Sequence, residues 1–175
     1  MQPNAKNSKP WMMRTLLVTV LGFISACSFA QTDSLPGDPG ALTVYTVQNL
    51  SFGAFTCGSS GGTVNISAGG SRSVTGDVVA LNLATAFFQA IFDIDTPQGT
   101  IVSILNGPNA VLTGSNGGSM TMQIGASHPA SPLITTVIQP ARTAVNIGGT
   151  LIVGNAAANP PGTYSGTFYI TFNQE

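Results

Sequence analysis

Charge is what this 175-residue chain has least of: five Lys and Arg with six Asp and Glu make up 6% of the sequence, against about 25% in an average soluble domain. Clustered cations of the kind that contact phosphates are missing, which excludes nucleic acid as a partner. Histidine occurs once, at His128, and cysteine twice, at Cys27 and Cys57. Catalysis needs titratable groups that converge, and these residues are thin material for it, so the chain is expected not to be an enzyme. No cofactor motif is present. Gly58–Gly62 (GSSGG) has neither the following Lys of a phosphate loop nor a helix after it and reads as a turn. Long apolar runs are absent too. The longest, Leu16–Ile24, is broken by Thr19 and Gly22 and is about half the ~20 residues that a membrane-spanning helix requires. What is plentiful is apolar residues, 43% of the chain, enough to build a core and to exclude disorder of the charged, apolar-poor kind.

The first thirty residues give a compartment. Lys6, Lys9 and Arg14 stand without an acid ahead of the Leu16–Ile24 run, the layout of a secretory signal peptide. Ser28 and Ala30 suit cleavage after Ala30, whereas Ile24-Ser25-Ala26-Cys27 resembles a bacterial lipobox that would leave Cys27 lipidated. The expected organisation is a signal peptide over 1–30, a flexible leader over 31–40 (QTDSLPGDPG) and one domain over 41–175. The mature protein is then secreted or at the cell surface, with no membrane-spanning segment. Cleavage leaves only Arg72 and Arg142 against six acids, a net charge of −4. Cys57 is left without an intramolecular partner, so no internal disulfide supports the fold.

From Ala41 onward, short β-branched and aromatic runs alternate with Gly, Ser, Asn and Pro clusters, the spacing of an all-β sandwich or barrel. Strands are expected at 42–47, 50–55, 63–67, 73–81, 86–95, 100–105, 119–124, 144–153 and 163–172. The last shows the clearest alternation: Tyr164, Phe168, Ile170 and Phe172 share the face expected to enter the core, and Thr163, Ser165, Thr167, Tyr169 and Thr171 share the other. Asn106-Gly107 and Ser115–Gly118 predict hairpins. The segment 125–142 contains Pro129, Pro132 and Pro140, which exclude central pairing and predict a crossover or an edge.

Two constellations offer chemistry on paper. Cys57 and His128 form a nominal nucleophile and base pair, although nothing in the sequence brings them together. Asp93 and Asp95, two apart on one strand side, would with Asp77 supply carboxylates for a calcium ion; the plainer reading is the polar end of a strand. The expectation is no metal site and no cofactor.

The order LSFGAF (50–55), GGTVNIS (61–67), SRSVTGDVVAL (71–81) and GGTLIVGNAAANPPGTYSGTFYITFN (148–173) resembles the bacterial domain of unknown function 4402 family, exported proteins similar to spore-coat-U-like and chaperone–usher pilin sandwiches. The resemblance implies an immunoglobulin-like, pilin-like β-sandwich and a non-enzymatic structural role in a surface appendage or matrix. It also implies partners: other copies or related subunits joined by strand addition, with a periplasmic chaperone and an outer-membrane usher. The leader offers only Leu35 as an apolar anchor, with Pro36 and Pro39 lacking amide donors. The candidate donated strand is therefore LTVYTV, with Leu42, Val44, Tyr45 and Val47 as anchors, or else the chain is a terminal or self-complete subunit. The alternative function is a stand-alone secreted or lipid-anchored sandwich that binds a glycan or a protein.

Overall fold

The computed structural model describes residues 40–175; the signal-peptide, leader and Cys27 expectations fall outside them, apart from Gly40. The described chain is all β. Its strands are β1 (Thr43–Gln48), β2 (Phe55–Ile66), β3 (Arg72–Ala80), β4 (Ala90–Asp95), β5 (Ile101–Asn106), β6 (Ala110–Gly114), β7 (Ser119–His128), β8 (Leu133–Ile134), β9 (Thr143–Val153), β10 (Tyr164–Ser165) and β11 (Ile170–Gln174). They form a curled eight-stranded sheet in the order β1-β4-β9-β7-β6-β10, with β2 joining β9 and β3 joining β2, and a three-stranded sheet in the order β11-β5-β8.

Strand β9 is the spine. One edge pairs with β7, while the other pairs with β4 through Thr143–Ile147 and with β2 through Gly149–Val153. The partner changes at Gly148-Gly149, where a Cβ on Gly148 would collide with the Ile66 carbonyl. The two glycines let β2 approach where β4 leaves off. Strand β9 also supplies both cores, because its inward residues alternate along a strand paired on both sides. Leu151 and Val153 join Val64, Ile66, Met120 and Met122 in one cluster. Val145 and Ile147 join Ala90, Ile94, Val102 and Leu133 in the other. Each of the Val, Leu, Ile and Met side chains among them, fully buried, stabilises by about 1.5–3 kcal/mol.

Several sequence expectations are corrected. Gly58–Gly62 is not a chain reversal, since β2 runs straight through it. Four β2 residues, 58 to 61, there face the single residue Asp77 of β3. The bulge is possible because Gly61 and Gly76 both have positive φ and pack backbone to backbone, an approach no side chain permits. Asn106-Gly107 closes no hairpin: β5 belongs to the small sheet and β6 to the large one. The expected hairpin at Ser115–Gly118 is present, joining β6 to β7. Strand β6, AVLTG, is not among the expected strands. The 50–55 segment is extended but holds only the Ser51 to Phe88 bridge before β2 begins at Phe55. The proline-rich segment yields β8, two residues on the edge of the small sheet.

Candidate functional site

The C-terminal segment runs from the large sheet to the small one. Tyr164 and Ser165 pair with Gly114 and Thr113 of β6, and Ile170–Gln174 pair with Asn106–Val102 of β5. Between them the backbone of Gly166–Phe168 makes no hydrogen bond among the described residues. Gly166 lies flat against β6, where a Cβ would strike the Val111 carbonyl. On the inward side, Tyr164 and Phe168 pack on the first core, and Phe168, Ile170 and Phe172 on the second. All four are half-buried, and none reaches the full burial seen on β9. The other face, Thr163, Ser165, Thr167, Tyr169 and Thr171, is exposed, with Tyr169 at 69%.

What leaves Tyr164, Phe168 and Ile170 half-covered is a groove of about 1060 Å³. One wall is the C-terminal segment from Thr163 to Ile170, and the other is Asn49–Cys57. The floor is apolar: Leu112, Met120, Met122 and Leu151, with Phe92. Phe52, Met120, Met122 and Leu151 belong to the buried part of the first core, whereas no buried residue of the second core lines the groove. The second core is closed by the small sheet through Val102 and Leu133. Both walls present a free strand edge. Phe55–Cys57 pair with β3 on one side only, since β2 meets β9 only from Gly62 onward, and β11 pairs with β5 alone. Backbone groups without partners beside an apolar floor are the features that strand addition uses.

Two polar residues hold the groove's ends. Half-buried Arg72 donates to the carbonyls of Phe52 (3.3 Å), Ala54 (3.2 Å) and Leu81 (3.4 Å), with its guanidinium 4.5 Å from the centre of the Phe87 ring. It ties the 52–54 wall to the 81–87 crossing. Buried Asn159 accepts from the Gly154 amide and donates to the Ser119 carbonyl (2.8 Å). It fixes the 155–162 loop, beside which the Tyr164 hydroxyl donates to the Pro160 carbonyl (2.8 Å). Sequence reasoning missed both. The signal for Arg72 was its rarity, one of two cations after the basic N-terminus, in a strand otherwise free of cations.

The remaining site candidates separate. Cys57 lines the groove and His128 does not; His128 sits exposed at the end of β7 opposite Asn146, so the nominal dyad is not assembled. Asp77 lies on β3 and accepts from the Ser60 amide (3.3 Å). Asp95 on β4 pairs with Arg142 (3.6 Å) and accepts from Gln139 (2.8 Å). No three potential ligands cluster among the described residues, and the calcium set fails because its carboxylates sit on strands that do not pair. The donor candidates Val44, Tyr45 and Val47 lie on β1 at the sheet edge beside β4, with Leu42 just before them against the second core. The Tyr45 ring lies 3.8 Å from the Arg142 guanidinium.

The profile of the family described as Domain of unknown function (DUF4402) matches residues 42–173, from the residue before β1 to the penultimate residue of β11. The chain belongs to the DUF4402 family. No curated protein and no solved structure matches it significantly. The groove and both of its walls lie inside the span that the DUF4402 profile covers.

Proposed function

We propose that this DUF4402 chain is a non-enzymatic, exported structural protein, a subunit of a surface appendage or matrix that assembles through β-strand pairing. Its sandwich is of the immunoglobulin-like, pilin-like kind, left open where one strand would complete it. The observation that carries this reading is the groove, with an apolar floor between two strand edges that lack partners. A strand laid in it satisfies the backbone of Gly166–Phe168 and places alternate side chains on Met120, Met122 and Leu151. Lysines and prolines, which usually guard an edge, are absent from both Phe55–Cys57 and Ser165–Gln174. The basic and apolar start of the chain supports export to the surface, and a periplasmic chaperone and an outer-membrane usher fit as partners that would handle an open groove.

The test is assembly. The full chain, expressed with its own N-terminus and recovered after export, is expected to sediment as oligomers or to gain thermal stability when an alternating apolar peptide is added. A strictly monomeric chain whose unfolding temperature no peptide changes would refute the proposal.

A further inference from the structure

Beyond the basic N-terminus the chain holds two cations, Arg72 and Arg142, and only one of them is neutralised. Arg142 pairs with Asp95, whereas Arg72 has no carboxylate partner among the described residues. The acid on its own strand, Asp77, stands on the exposed face of β3 beside inward Val78. Three backbone carbonyls serve Arg72 instead, at 3.2 to 3.4 Å, longer than the ~2.7–2.9 Å of well-made charge-assisted bonds. They engage both Nη atoms but leave the Nε–H and one Nη2 hydrogen without an acceptor among the described residues. A half-buried guanidinium compensated only by distant carbonyls still favours an anion.

The backbone around Arg72 holds it beside open space. Gly53 has a φ of +69°, and a Cβ there would strike the guanidinium. Ala84, with a φ of 56°, is the one non-glycine residue of positive φ among those described, a conformation that alanine seldom adopts and that collects at binding sites. Both flank a pocket of about 210 Å³, separate from the groove although Leu81 and Thr85 border the two. Arg72 and Phe87 line it with two polar side chains that have bonding to spare. The Asn82 amide makes no hydrogen bond among the described residues, and the Thr85 hydroxyl reaches only the Leu83 carbonyl, at 3.5 Å. Phe87, 36% exposed, adds an apolar surface. Anchoring of the 52–54 wall accounts for the three carbonyls, but not for Asn82, Thr85 and the strained Ala84 converging on the same space. The volume lies below the ~300 Å³ at which pockets for drug-sized ligands begin, which suits a single sugar-sized ring. We infer that this pocket binds a small hydroxylated carboxylate the size of one acidic sugar unit, its carboxylate on Arg72 and its hydroxyls on Asn82 and Thr85.

The test is titration of the full chain, recovered after export, with sodium galacturonate at constant ionic strength, read by calorimetry or NMR shifts, with galactose and acetate alongside. Galacturonate is expected to bind saturably with a Kd of about 1 mM. It should bind about ten-fold tighter than galactose, which lacks the charge, and about ten-fold tighter than acetate, which lacks the hydroxyls. Arg72→Lys should weaken galacturonate about ten-fold, because an ammonium cannot hold the carbonyls and a carboxylate together as the planar group does. Since Arg72 also anchors the groove wall, Asn82→Ala is the second variant. Asn82 is exposed and makes no hydrogen bond among the described residues, so its replacement should leave the unfolding temperature unchanged and weaken galacturonate about five-fold. Galacturonate binding no tighter than galactose, or no tighter than acetate, would overturn the inference. So would undiminished affinity in a folded Asn82→Ala chain. These titrations succeed or fail independently of strand assembly, which is read by sedimentation and by an apolar peptide.

Discussion

Leu151 and Phe168 are both inward-facing apolar residues of the first core, yet Leu151 is 1% exposed while Phe168 is only half-buried. Leu151 sits on β9, paired on both edges. Phe168 sits on a segment whose backbone has no partner among the described residues. The difference is neighbours, since hydrophobicity is the same. The second core, made from the same residue types on the same spine, is closed because the small sheet lies over it. A strand edge and an apolar face left open at one place are two costs with one remedy, which is why the groove points to another strand more than to a small ligand.

Substitutions on the closed side should cost most. Ile147→Ala, at a site 1% exposed, is expected to destabilise by about 2–5 kcal/mol, seen as a lower urea midpoint with an unchanged slope. If Ile147→Ala costs no more than Phe168→Ala, the two sides are equally closed and the comparison fails. Next is Arg72→Met, which leaves the carbonyls of Phe52, Ala54 and Leu81 without that donor. The expected loss is about 1–3 kcal/mol in thermal unfolding, only partly restored by Arg72→Lys, because an ammonium cannot span three acceptors as the planar fork does. Phe168→Ala should cost the isolated chain less than about 2 kcal/mol, roughly half of what full burial of a Phe would give, and should weaken assembly measured by sedimentation more than it weakens the fold. Smallest is Val111→Thr on the exposed face of β6, expected to stay within about 0.5 kcal/mol of the parent; a larger loss would mean that this face is covered as well.

Much of the fold was legible in residues. The alternation from Ala144 to Val153 and from Ser119 to Ile124 marked most of β9 and the first part of β7, because paired central strands must bury one face. The failures share a cause. Gly58–Gly62 looks like a turn, since glycine permits both a reversal and a bulge, and only the neighbouring β3 with Gly76 decides between them. Asn106-Gly107 looks like a hairpin, but its flanking strands belong to different sheets. The family resemblance pointed to strand addition, but the groove's place was not legible in the residue pattern. Alternation at Tyr164–Phe172 identifies an inward face without saying whether a strand lies beside it, and the anchoring by Arg72 and Asn159 depends on carbonyls far away in sequence.

The most direct test of the central claim is amide hydrogen exchange along Ser165–Ile170, compared with Val145–Val153 of β9, in the isolated chain and in its assembled form. The account predicts fast exchange at Ser165–Ile170 in the isolated chain, strong protection there on assembly, and β9 protected in both. Protection of Ser165–Ile170 equal to that of β9 in the isolated chain, unchanged on assembly, would contradict it.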